Sequence, residues 1–311
     1  MRPVLLLALL LTTPVAAQTP TRDVTITRDT WGIAHIKGRT DADAVYGMIY
    51  AQAEDDFPRI EANYLTARGR MAEGGGESAV WTDLRARMFN RPETLQARFR
   101  ASPAWLQKLM VAWADGLNRY LATHPHVRPR VLTRFEPWMA LAFTEGSIGG
   151  DVEEVDLAAL EEFYTGHRPS KVAMRDTEPR GSNGIAIAPR LTRDRRALLL
   201  INPHTSFYFR SEQKMESGEG LNAYGAATWG QFFIYQGFND RLGWMHTSST
   251  VDRVDEFAET IVPCDRRFCY AYGRQKRPLT QEIVSIAVRQ PDERLVQQHF
   301  PVYRTHHGPV V

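Results

Sequence analysis

Hydrophobic and polar positions follow two different periods along the chain. From residue 23 to 36, Val24, Ile26, Ile33 and Ile36 alternate with polar neighbours on either side of Asp29-Thr30-Trp31-Gly32, which predicts a β-hairpin. The spacing then becomes helical. Val45, Met48, Ile49 and Gln52 share one face of a helix predicted over 42–57, with Asp41 and Asp43 at the end where the helix dipole favours acids. A further helix is predicted over 60–71, before the breaker Gly74-Gly75-Gly76. Over 105–121, Trp105, Leu109, Ala112, Trp113, Gly116 and Tyr120 recur at helical spacing and read as a core-facing stripe.

Near residue 165 the pattern changes. Residues 165–180 carry three arginines and two prolines with no clean period, which predicts an exposed linker. Strands are predicted beyond it, over 184–188, 197–201 (a buried apolar run), 231–236 and 242–245, with a turn over 191–196. Residues 282–288 and 295–303 read as a hairpin around Gln290-Pro291-Asp292. Helices first and paired strands afterwards predict an α+β class with an antiparallel sheet. The chain thus divides into a mostly helical region over 18–164, a linker over 165–181 and a strand-rich region over 182–311.

Composition then narrows the setting. Residues 1–17 open with Arg2, continue through the apolar run 4–11 and end in Val15-Ala16-Ala17, the layout of a signal peptide cleaved after Ala17. The run is too short to span a membrane, so the expected destination is a bacterial periplasm or beyond. Lys and Arg number 38 against 36 Asp and Glu, a net charge of +2 that offers no footprint for nucleic acid. Mean hydropathy of −0.37 suits a soluble globule. The two cysteines, Cys264 and Cys269, flank a four-residue hairpin tip that lets their sulfurs meet as a disulfide, two free thiols being the alternative. At the other end, Gly308-Pro309-Val310-Val311 has strand character without a polar tail, and the chain is expected to be cut short there.

Few residues point to chemistry unaided. His124-Pro125-His126 and His306-His307 lie outside any HExxH arrangement and read as loop histidines. Neither a G-x-S-x-G elbow nor a P-loop is present. Residues 151–156 and 252–256 are carboxylate-rich and, brought together, would offer the oxygen ligands that calcium takes. Ser182, in Gly181-Ser182-Asn183, follows the linker and precedes a strand. Cleavage of the Gly181–Ser182 bond would give it a free α-amine able to act as base for its own hydroxyl.

Seven stretches in order resemble the penicillin amidase family of N-terminal nucleophile hydrolases. They are Ile26-Thr27-Arg28-Asp29-Thr30-Trp31-Gly32-Ile33-Ala34-His35-Ile36; Asp43-Ala44-Val45-Tyr46-Gly47 with Ala51-Gln52-Ala53-Glu54-Asp55; Arg68-Gly69-Arg70-Met71-Ala72-Glu73; Gly181-Ser182-Asn183; Asn202-Pro203-His204; Gln236-Gly237-Phe238-Asn239; and Gly243-Trp244 with His246-Thr247-Ser248-Ser249. The resemblance implies an αββα sandwich of two stacked antiparallel sheets. It implies autocleavage between Gly181 and Ser182, giving an α-chain and a β-chain that stay associated. It makes Ser182 the nucleophile and His204 the residue that orients it, and places an oxyanion-binding N–H around Ser248 and Ser249. Glu154, Asp252, Asp255 and the carbonyl of Val254 match the family's structural calcium ligands, and no organic cofactor is implied.

The activity implied is hydrolysis of the amide bond of an N-acylated small molecule, such as a β-lactam antibiotic or an acyl-homoserine lactone. The family's second oxyanion donor, an Asn further along the β-chain, has no counterpart here. An inactive, truncated, secreted calcium-binding protein is the alternative from a different class, separated from the enzyme by whether self-cleavage leaves a fragment that starts at Ser182.

Overall fold

The computed structural model describes residues 22–143, 155–167, 181–205, 210–247, 255–265 and 267–311. Strands β1 (Val24–Arg28) and β2 (Ala34–Gly38) form the opening hairpin, with Ile26 opposite Ile36. Helix α1 (Asp41–Ala67) begins at a capping box, in which Thr40 accepts the Asp43 N–H and Asp43 accepts the Thr40 N–H. The two helices expected on either side of residue 58 run on as this one element, kinked where Asp56 leaves the helical region (φ −156°, ψ 67°). Pro58 supplies no N–H there, and the Asp56 carboxylate caps the second segment by accepting the Arg59 N–H at 3.1 Å.

Short α2 (Ala72–Gly75) takes two of the expected breaker glycines into a helical turn. Helices α3 (Val80–Phe89), α4 (Pro92–Ala101), α5 (Ala104–Thr123) and α6 (Leu157–Thr165) complete the helical half. Trp113 on α5 is fully buried, but Trp105, read as core, is 64% exposed. It lies in the first turn of α5, ahead of the part that packs on α1. That packing is close at Gly116, where a Cβ would press on the Tyr46 carbonyl and the Ile49 side chain.

In the second half, β3 (Gly181–Ile187) and β4 (Leu198–His204) form a two-stranded sheet. Strands β5 (Arg210–Ser217), β6 (Asn222–Thr228), β7 (Gln236–Phe238) and β8 (Gly243–Trp244) extend the opening hairpin into a six-stranded sheet of order β1-β2-β5-β6-β7-β8. The β2–β5 pair is parallel and its other pairs are antiparallel. Strands β9 (Ile261–Cys264), β10 (Arg267–Tyr272) and β11 (Gln275–Pro278) make an antiparallel sheet in which Cys264 and Cys269 are joined as a disulfide, Cα to Cα 5.9 Å. Strands β12 (Thr280–Arg289) and β13 (Leu295–Arg304) form the expected hairpin. The class is α+β. Among the described residues no helix is long and apolar enough to cross a membrane.

Two strand expectations change. Residues 231–235 are a bent loop, with the strand confined to β7. Leu198, Leu199 and Leu200 are 56%, 38% and 50% exposed rather than buried, because β3 and β4 pair with each other and with no other strand among the described residues.

One core lies between the large sheet and helices α1 and α5, filled by Ile36, Met48, Ile49, Phe57, Tyr64, Trp113, Phe135 and Met215. Buried polar groups fix the halves against each other. The backbone of residues 229–231 runs into this core, and its groups are met by helix side chains. Gln52 accepts the Gly230 N–H at 2.8 Å and donates to the Gln231 carbonyl at 2.9 Å, while the Tyr64 hydroxyl and Trp113 indole both donate to the Gly230 carbonyl. Asn63 donates to the Trp229 carbonyl. A second core sets Val284, Ile286, Val288 and Val302 of the last hairpin against Leu84, Met88 and Leu160.

Two carboxylates inside the helical half give tests of this packing. Glu61 is buried and accepts the N–H groups of Arg130, Val131 and Leu132 at 2.7–2.9 Å. Glu61→Gln turns an amide donor toward those donors and is expected to lower stability by about 1–3 kcal/mol in urea denaturation. Asp83, also buried, accepts the N–H groups of Met71 and Ala72, yet burial pushes its carboxyl up from 3.8 to about 6. The native state therefore holds this proton more tightly than the unfolded chain does, and the contribution of Asp83 to stability falls as pH rises through that window. Asp83→Asn is expected to remove that slope when urea midpoints at the two ends of the window are compared with those of the parent protein.

Candidate active site

The candidate nucleophile lies at the start of β3, in register with the end of β4. Gly181 faces His204, Ser182 faces Pro203 and Asn183 faces Asn202. The β3–β4 connection makes this pairing local, through a 3₁₀ turn at Pro189–Leu191 and a left-handed Arg195 (φ 53°). Gly181 has φ +143°, a region that L side chains avoid. Space is not the constraint, since a Cβ there would meet the Nδ1 of His204 at an ordinary 3.6 Å.

Ser182 is half-buried, and its hydroxyl donates to the carbonyl oxygen of Gly181 at 2.5 Å. The Oγ thus rests against the peptide group that precedes its own residue. A hydroxyl in that position can polarise the carbonyl, and with its proton removed it can add to the carbonyl carbon. The carbonyl of Ser182 itself accepts a hydrogen bond from Thr247 Oγ1 at 2.9 Å.

Through Thr247 the strand that carries Ser182 is tied to the large sheet. Gln236 on β7 donates to the His246 carbonyl at 2.8 Å and accepts from Arg210 at 2.9 Å, and the His246 ring packs 4.5 Å from that of Tyr235. The hairpin and β8 meet closely. A Cβ on Gly184 would overlap Met245, and one on Gly243 would overlap Leu199.

His204 reaches the same end of the hairpin as Ser182, but its hydrogen bonds run elsewhere. Its Nε2 lies 3.1 Å from Asn202 Oδ1 and 3.2 Å from Asn183 Nδ2. Its Nδ1 side faces Gly181. The arrangement brings together Gly181, Ser182 and His204 among the predicted residues. Ser248, Ser249, Glu154, Asp252 and Val254 lie outside the described residues; Asp255, the remaining predicted calcium ligand, is exposed.

Thr247, Asn183 and Asn202 make hydrogen bonds to Ser182 and His204 that sequence reasoning did not single out, although all three fall inside the motifs quoted for the family resemblance. Chain spacing alone carries no sign that residue 247 returns to residue 182. An apolar cleft of about 570 Å³ lies elsewhere, between α1, α5 and the 220–244 segment. It is lined by Val45, Leu109, Met215, Phe232 and Trp244 and contains none of the predicted site residues.

A family model described as penicillin amidase matches residues 23–311. The acyl-homoserine lactone acylase PvdQ of Pseudomonas fluorescens (strain Pf0-1) is 26% identical, over 92% of this chain and 40% of its own length. Penicillin acylase 2 proenzyme of Pseudomonas sp. (strain SE83) is 25% identical, over 93% of this chain and 43% of its own. Among solved structures, a thermostable penicillin G acylase from Alcaligenes faecalis aligns at 21% identity with a TM-score of 0.38, covering 48% of this chain and 87% of that one. The chain thus spans about two-fifths of the length of the curated relatives it matches.

The conformation of Gly181 yields a test independent of any reaction. Gly181→Ala is expected to strain the start of β3 by about 1–3 kcal/mol. Hydrogen exchange checks it, with β3 and β4 amides expected to exchange faster while those of α1 and α5 stay unchanged.

Proposed function

The chain belongs to the penicillin amidase family, and we propose that it carries the self-cleaving nucleophile of an exported acylase that hydrolyses the amide bond of an N-acylated small molecule. The observation that supports this reading is the Ser182 hydroxyl resting 2.5 Å from the carbonyl oxygen of Gly181, beside a glycine conformation that other residues avoid. In the precursor, Ser182 Oγ loses its proton and adds to the Gly181 carbonyl carbon. The C–N bond then breaks, the nitrogen takes up a proton, and an ester joins Gly181 to the serine oxygen. Water hydrolyses that ester, leaving a Gly181 carboxylate and a free α-amine on Ser182.

That amine is the base for the mature reaction. It accepts the proton of the Ser182 hydroxyl as Oγ attacks the substrate's amide carbonyl, and the proton passes to the departing amine. Backbone N–H groups around Ser248 and Ser249 take the oxyanion, a donor of the kind whose loss costs about 2.7–4 kcal/mol of transition-state stabilisation. Water then releases the acid from the acyl-enzyme. His204, held by Asn183 and Asn202, lines the nucleophile's end of the hairpin as a positioning residue. Thr247 fixes the Ser182 carbonyl, and with it the direction of the strand. Penicillins and acyl-homoserine lactones are the substrate classes we propose, from the relatives' names.

The calcium reading concerns structure rather than catalysis. Brought together, three carboxylates and a carbonyl, from Glu154, Asp252, Asp255 and Val254, would offer an all-oxygen donor set that suits a hard cation. Calcium there would bridge the segments before and after the cleavage point. Export through a signal peptide at residues 1–17 places the protein in a periplasm or outside the cell.

Intact mass spectrometry of the full-length precursor tests the central step. The parent protein is expected to yield two fragments divided between Gly181 and Ser182, and Ser182→Ala to remain one chain without amidase activity; Ser182→Ala cut at the same bond without added protease would overturn the mechanism. For the metal, calcium added after chelation is expected to raise the melting temperature by mass action on the folded state. An unchanged temperature counts against the site.

A further inference from the structure

Away from Ser182, the three-stranded sheet meets the end of β13, and there Glu259, His306 and His307 converge. One ligand atom from each lies within 4.8 Å of the other two, the one such grouping of histidine and acidic side chains found among the described residues. His307 Nδ1 lies 3.0 Å from Glu259 Oε1. The histidines sit in a tight turn closed by the Thr305 N–H to the Gly308 carbonyl and the Val310 N–H to the Tyr303 carbonyl. Glu259 comes from the segment that enters β9.

Both imidazoles are held in place. Tyr270 is buried, and its hydroxyl lies 3.1 Å from His306 Nδ1 while also accepting the His306 backbone N–H. With Nδ1 occupied, Nε2 of His306 is the nitrogen open to an ion. Tyr270 stacks parallel to the His306 ring and Tyr272 meets it edge-on. Phe257 stacks on His307 with ring centroids 3.7 Å apart and planes 10° from parallel. The two imidazole centroids are 3.8 Å apart.

We propose that Glu259, His306 and His307 bind a divalent transition ion of the zinc type, which clasps the entry to β9 against the turn after β13, with water in the fourth position. Two nitrogens and one carboxylate oxygen suit zinc, whose bonds to such ligands are about 2.0–2.2 Å, and ligand atoms around one such ion sit about 3.3 Å from each other. The 3.0 Å between His307 and Glu259 is close to that separation. The His307–Glu259 contact accounts for those two residues, and Tyr270 holds His306 through Nδ1, which leaves the Nε2 of His306 unused by either contact. An ion at the edges of the two rings, bound through one in-plane nitrogen of each, would use both imidazoles together with the Glu259 carboxylate. Tyr270 acts on the ion through His306, fixing which nitrogen faces it. The donor set differs from the all-oxygen set proposed for calcium, which softer nitrogen ligands do not favour.

The test uses the full, untagged chain, stripped with EDTA and titrated with zinc chloride in a calorimeter. About one zinc per chain is expected, undiminished by excess calcium, with a rise in melting temperature. His307→Ala and Glu259→Gln are each expected to weaken zinc binding by about tenfold or more. Tyr270→Phe keeps the buried ring and is expected to weaken it by about tenfold while the melting temperature of the metal-free protein stays close to that of the parent. The proposal is overturned if the parent takes up no stoichiometric zinc, or if zinc binds Glu259→Gln and Tyr270→Phe as tightly as it binds the parent.

Discussion

The arrangement of this molecule depends on a short stretch of main chain that lies where water cannot reach it. Residues 229–231 cross the principal core outside the strands of the large sheet, and their buried peptide groups need hydrogen bonds. Gln52, Asn63, Tyr64 and Trp113 supply them. Apolar contact between a helix pair and a sheet allows some sliding, whereas bonds to particular backbone atoms do not. Each bond left unmade would cost about 1–3 kcal/mol, so the helices have one seat on the sheet. The position of β7 and β8 follows from that seat, and with it the position of Thr247 beside Ser182.

The same interactions bear on what cleavage at residue 181 does to the whole. The large sheet takes β1 and β2 from before that point and β5 to β8 from after it. The buried bonds to residues 229–231 also join the two sides. A break on β3, in a different sheet, severs neither set. On the proposed reading, the two products stay together through contacts already present in the precursor, with no new surface required.

The parts of the fold readable from the residues were those in which local pattern and burial agree. The hairpins β1–β2 and β12–β13, and the buried stripe of α5 after its first turn, are of this kind. Strand β5 was not readable, because its inward positions are Ser211, Gln213 and Met215, two of them polar, with the Gln213 amide nitrogen donating to Ser211 Oγ and the Met48 carbonyl inside the core. A period of two is invisible when both faces look hydrophilic. The reverse failure occurs at Leu198, Leu199 and Leu200, where an apolar run predicted burial in a strand that has one partner among the described residues. For the site, Gly-Ser-Asn alone is an ordinary turn sequence, and family resemblance singled out Ser182. The contact between its hydroxyl and the preceding carbonyl, and the reach of Thr247, come from three-dimensional closure that spacing along the chain does not encode.

The parallel pairing of β2 with β5 also governs the order in which the molecule can assemble. Ala34 must find Gln213 across more than half of the 311 residues, and contacts so distant in sequence form slowly because the intervening loop must first be closed. During synthesis α1 and α5 are complete long before residue 230 emerges, so the Gln52 amide and the Trp113 indole face solvent until their partners arrive. A hairpin such as β3–β4 closes in microseconds by comparison. The strand pair that carries Ser182 is therefore among the earliest parts able to form, and the sheet it rests on is among the last.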